Sequence, residues 1–224
     1  MKYPTPSITP SVECSCEKMK AILLFTDELL SGVILKLGTQ GSCAAAIANA
    51  MAVIITISLE AGVPAAAMAK LFKYDRGQCI PGSTKPTCIA ALSGILEQYG
   101  PPAENDEVYS VPMTMDGKKR TMSTGCGPVA VHCYKNSDGE LREVIVRLAQ
   151  TNTCANTMAK MIGDMITLAQ CHGVDALVIA GGLRGIRCPA AKGECTSCLD
   201  AIGRALQLNA GKDPDEFMVK EISA

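Results

Sequence analysis

The chain has no tryptophan, and only three phenylalanines and five tyrosines in 224 residues. A core with so few aromatics must be filled by Ala, Ile, Leu, Val and Met. An excess of either charge is also lacking. With 21 Lys and Arg against 22 Asp and Glu, the net charge is −1, so no global attraction to nucleic acid or to anionic membrane is expected. Histidine is scarce, with only His132 and His172, so a metal site here must be built mostly of thiolates. The most apolar run, "CAAAIANAMAVIITISL" from Cys43 to Leu59, is 17 residues long and contains Asn49, Thr56 and Ser58. It falls short of the roughly 20 apolar residues a bilayer span needs and reads as a buried core helix, with no membrane partner. The stretch "MKYPTPSITPSVECSCEKMK" is polar and proline-rich, without the apolar centre of a secretory signal, and a cytoplasmic location is expected.

Cysteine is what the chain has in excess, at 12 residues. In a reducing compartment disulfides are disfavoured, which points to metal binding or redox chemistry.

The chain also repeats itself. "SGVILKLGTQGSCAAAIANAMAVIITISLEAGV" set over "REVIVRLAQTNTCANTMAKMIGDMITLAQCHGV" shares a pattern at an offset of 111 residues, pairing Val33 with Val144, Cys43 with Cys154, Thr56 with Thr167 and Gly62 with Gly173. With small gaps, Cys79 then pairs with Cys188, Cys88 with Cys198 and Leu96 with Leu206. The expected organisation is a first repeat over 12–98, a linker over 99–110 marked by Pro-Pro and acidic residues, a second repeat over 111–208, and a tail over 209–224.

In the second repeat, "PVAVHCY" and "REVIVRL" read as strands joined by an Asp138-Gly139 turn. A long helix follows, with Thr153 as N-cap and Gly173 as C-cap, and its counterpart runs from Ser42 to Gly62. A short helix is opened by Pro64 or capped by Asp175, and a last helix opens at Cys88 or Cys198. The fold class is therefore α+β, with two similar units. Each is a small antiparallel sheet followed by a long helix and two shorter ones, and the units are related by a pseudo-two-fold axis. The helix from Ser42 to Gly62 is apolar nearly all round, which places it between the repeats or at the interface of a homo-oligomer. "GKKR" at 117–120 reads as a solvated basic turn, and "AGGLRG" lacks the strand-then-helix setting of a dinucleotide loop.

Cys43, Cys88, Cys154 and Cys198 fall in first turns of expected helices, where free N–H groups and the helix dipole favour a thiolate. Cys79 and Cys188 lie in the loop before the last helix, Cys126 in "STGCGP", and Cys14 and Cys16 in "ECSCEK". Four thiolates from a strand lead-in, two helix starts and a loop suit zinc or a four-cysteine iron–sulfur cluster. One site per repeat is expected: Cys126, Cys154, Cys188 and Cys198 in the second, and Cys14 or Cys16 with Cys43, Cys79 and Cys88 in the first. Cys133 and Cys171 have no counterparts and read as packing thiols. Cys195 and Cys198 form a C-x-x-C pair, used by redox and metal sites alike, and the first repeat has nothing at the position of Cys195. Cys195 is thus an additional ligand or an exchange thiol.

"TGCG", "EVIVRL" followed by "TCA", "GGLRGIRCP" and "TSCLDAIGRAL" together resemble the TSCPD domain, over about residues 115–207. That family occurs alone in small bacterial proteins and near the C-terminus of adenosylcobalamin-dependent (class II) ribonucleotide reductases. Leu199 stands where the namesake motif has proline. The resemblance implies a cysteine-rich accessory domain that binds metal, with a reductase catalytic chain as partner. The catalytic barrel itself would need several hundred more residues. The function expected is metal binding without catalysis by this chain alone, with a reductase accessory role or thiol–disulfide exchange at Cys195 and Cys198 as alternatives.

Overall fold

A computed structural model describes residues 5–15, 17–73, 83–101, 109–149, 154–191 and 194–214. The first half runs β1 (Thr5–Ile8), β2 (Ser11–Glu13), β3 (Lys18–Thr26), β4 (Leu29–Lys36), α1 (Cys43–Glu60), α2 (Ala65–Lys73) and α3 (Cys88–Tyr99). The second runs β5 (Asp116–Thr124), β6 (Gly127–Lys135), β7 (Leu141–Leu148), α4 (Cys154–Cys171), α5 (Ala176–Leu183) and α6 (Cys198–Asn209). The protein is a mixed α+β molecule with two antiparallel sheets, and the order sheet, long helix, short helix, helix occurs twice. In the first sheet β3 is central, with β4 on one side and β1 and β2 end to end on the other. In the second, β6 lies between β5 and β7.

Local chemistry accounts for most boundaries. Alternation in β3 buries Met19, Ala21 and Leu23 while Lys18 and Lys20 stay exposed, as a half-buried strand requires. The hairpin to β4 turns through Asp27 and Glu28, both at positive φ (50° and 68°), the backbone a tight two-residue turn demands. Ser42 caps α1 by accepting from Ala45 N, Asp175 caps α5 through Leu177 N, and Ser197 caps α6 through Leu199 N and Asp200 N. Gly62 and Gly173 follow α1 and α4 at φ of 85° and 82°, where a side chain would be strained.

"GKKR" is not a turn. It belongs to β5, whose Lys118 pairs with Cys133 and whose Arg120 pairs with Val131. β5 is an edge strand with mostly exposed residues, so it lacks the apolar alternation that announces a strand, and its charges shield the open edge. The turn before β6 is Gly125-Cys126, inside "TGCG". Thr153 and most of the expected linker lie outside the described residues.

The core centres on α1, which packs against β4 of its own half and against α4 and α5 of the other. Ile54 and Ile55 are fully buried there, each contributing about 1.5–3 kcal/mol relative to an exposed side chain. By length and composition α1 could cross a membrane, but its packing is that of a core helix. The Thr56 hydroxyl accepts from Val33 N at 3.1 Å and donates to Val33 O at 3.3 Å, tying α1 to β4. Thr167 makes the same pair of contacts with Val144, at 2.9 and 3.4 Å, and ties α4 to β7. The halves meet closely where Gly182 of α5 crosses α1, and a Cβ there would stand 2.5 Å from Val53 Cγ1.

Candidate metal centre

Cys43, Cys126 and Cys188 bring their sulfurs within 4.8 Å of one another. Each comes from a different kind of element. Cys43 is the first residue of α1, Cys126 sits on the β5–β6 turn, and Cys188 lies in the loop between α5 and α6. Thr124 shapes the Cys126 turn, its hydroxyl donating to Gly127 O at 2.7 Å and accepting from Cys126 N at 3.3 Å. Cys188 N donates to Thr196 O at 3.2 Å, which folds its loop back towards α6 and Cys198.

Cys198 belongs to the same environment. Its thiol is pushed up to about 12, first by burial and then by the repulsion a thiolate would meet from Cys188, Cys43 and Cys126. Cys43 is pushed up to about 11, by burial and then by Cys188 and Cys126. The helix-start positions were expected to favour thiolates, but desolvation and neighbouring sulfurs outweigh the helix dipole. A cation changes the balance, because a bound soft metal lets crowded thiols lose their protons. In a tetrahedral zinc–thiolate site the sulfurs stand about 3.8 Å apart, within the separation found here. None of Cys43, Cys126, Cys188 and Cys198 is in a disulfide.

This grouping departs from one site per repeat. Cys43 belongs to the first half, yet its thiol joins two, and electrostatically three, cysteines of the second. The reason is tertiary: α1 packs across the halves against α4 and α5, which carries its first residue to the other unit. Of the other expected ligands, Cys16, Cys79 and the side chain of Cys154 lie outside the described residues. Cys88 is buried at the start of α3, and Cys14 is buried with its Sγ 3.7 Å from Val12 O. The Ser15 hydroxyl donates to Lys85 O at 2.8 Å, which brings the "ECSCEK" segment to the approach of α3.

Cys195 has different surroundings from Cys198. It is 1 % exposed, and its thiol is pushed up by burial and then by Asp200, with Arg204, Glu194 and Arg184 as the other charges nearby and no cysteine among them. The two thiols of the C-x-x-C pair thus have different electrostatic neighbours, charged side chains around Cys195 and cysteines around Cys198. Cys133 is buried in β6, and Cys171 is half-buried with its Sγ 3.8 Å from Ser110 O, as packing thiols.

Sequence reasoning missed what holds the ligand loop. Asp200, 3 % exposed, accepts from Arg184 Nε at 2.8 Å, Gly185 N at 3.0 Å and Thr196 N at 3.1 Å. Burial alone would raise its carboxyl, but these donors hold it below the ordinary value. Both ends of the loop bearing Cys188 are thus pinned to one carboxylate. The signal was present in "GGLRGIRCP" and "TSCLD", as an arginine and an aspartate flanking the cysteines.

The fold and site define a small α+β protein that gathers cysteines on the surface between its halves. Residues 107–210, a little under half of the chain, match the family model of the TSCPD domain. That match supports the resemblance carried by the second-half motifs. Comparison with curated proteins and with solved structures finds no match.

Proposed function

We propose that the protein is a cysteine-ligated metal-binding accessory protein, in which Cys43, Cys126, Cys188 and Cys198 hold one ion or cluster between the two halves. The observation that carries this reading is the convergence of three thiols from a helix start, a hairpin turn and a loop within 4.8 Å. Packing alone gives no reason for three sulfurs from distant sequence positions to meet at a surface. Zinc and an iron–sulfur cluster both suit four thiolates. The chain is taken as a tandem duplication, supported by the repeated element order and the matching Thr56–Val33 and Thr167–Val144 contacts. On that correspondence a second set would comprise Cys154 with Cys79, Cys88 and Cys14 or Cys16.

Accessory service to an adenosylcobalamin-dependent ribonucleotide reductase is the biological setting we propose, and it rests on the TSCPD match. The chain's own residues would bind and position the metal. Thiol–disulfide exchange at Cys195 and Cys198 has less support, since Cys195 is buried and its electrostatic neighbours are charged side chains rather than cysteines.

Anaerobic purification followed by metal and acid-labile sulfide analysis tests the reading. The Cys43→Ser variant is expected to lose one metal equivalent although it lies outside the TSCPD match. Unchanged metal content in that variant, or metal-free wild-type protein, would refute the site.

A further inference from the structure

The four thiols differ in what covers them. Cys43 and Cys126 are exposed, while Cys188 and Cys198 are partly covered. A structural zinc site is closed, with its sulfurs turned inward and its ion released slowly. This cluster instead has an inner pair, set by the loop that Asp200 pins, and an outer pair open to solvent. The Cys126 position is also locally held: it sits at the tip of a two-residue turn whose bonds come from its own neighbours Thr124 and Gly127.

We propose, building on the metal-binding reading above, that this is an exchange site: a soft divalent ion is taken up from, and handed to, thiolate ligands of another protein through the face formed by Cys43 and Cys126. The ion is cargo. In the step, a metal–sulfur bond to the acceptor thiolate forms as the bond to Cys43 or Cys126 breaks, and the displaced thiolate takes a proton from solvent. No electron moves and the metal keeps its oxidation state. Cys188 and Cys198 stay bound until the last transfer, which keeps the ion from escaping as a free aquo ion. The acceptor implied is a cysteine-rich site that can reach exposed thiolates, as a two- or four-cysteine loop can.

The test uses the full chain loaded with zinc and a metal-free four-cysteine zinc-finger peptide as acceptor, with transfer followed by the peptide's folding signal. The transfer rate is expected to double when the peptide concentration doubles, because the acceptor attacks the bound ion. A rate independent of peptide concentration would mean dissociation first, as from a closed site, and would overturn the proposal. As a second measurement, alkylation of the zinc-loaded protein with mass-spectrometric readout should modify Cys43 and Cys126 before Cys188 and Cys198. Simultaneous modification of all four would also overturn it. A chain that takes up no zinc at the outset would overturn the exchange proposal and the zinc form of the metal-binding reading, and is distinguished from both by the metal content of the starting sample.

Discussion

At the scale of residues, the site depends on one buried carboxylate as much as on its sulfurs. Replacing Asp200 by Asn removes the negative partner of Arg184, whose side chain is 4 % exposed. Leaving that buried cation without a counter-charge, with Gln207 Oε1 and Pro214 O as remaining acceptors, should cost up to about 3–5 kcal/mol in denaturant unfolding. Metal affinity should fall as well, because the Cys188 loop loses its anchor. The Asp200 carboxyl is depressed in the folded protein, so its contribution is present above the unfolded value of about 3.9 and is lost as pH falls through the folded one. Acid unfolding of wild-type protein should therefore steepen below pH of about 4, and the Asn variant should lack that component. The raised thiols predict a second measurable quantity. Cys43 at about 11 and Cys198 at about 12 are protonated at neutral pH without metal, so loading should release at least their two protons, read as acidification of a weakly buffered sample. These residues also show where spacing misleads. Residue 195 precedes the helix cap Ser197 and residue 198 follows it, and the two thiols meet different neighbours.

At the scale of elements, the helices were legible because their signals are local: Ser42 and Asp175 as caps, Gly62 and Gly173 as stops, and the opening cysteines at 43, 88, 154 and 198. Strands β6 and β7 carried the apolar alternation that marks a half-buried sheet. β5 did not, because an edge strand with charged residues has no apolar period to detect. What no local pattern encodes is how α1 lies against the other half, and that packing brings Cys43 to Cys126 and Cys188. Gly182 is the contact to perturb. A valine there would drive into Val53 of α1, and overpacking of this kind costs about 1–3 kcal/mol. Gly182→Val should lower thermal stability and weaken metal binding together, although residue 182 touches no sulfur. Loss of stability with unchanged affinity would mean that the α1–α5 crossing does not position Cys43.

At the scale of the whole molecule, metal loading should act as a bond between halves that are otherwise joined by helix packing. A ligand present at about a hundredfold its dissociation constant stabilises the folded state by about 2.7 kcal/mol. The stabilisation should be read as one cooperative transition in loaded wild-type protein and should be smaller in Cys43→Ser. The ligand that crosses from one half to the other has one more consequence. Among the described side chains the second half by itself offers Cys126, Cys188 and Cys198, so a soft tetrahedral ion held by those three alone would have a position left over. In this chain the helix start of the first half satisfies it internally. On the proposed reading, a domain of this kind standing alone would take its fourth donor from a neighbour, the place that Cys43 of the first half fills here.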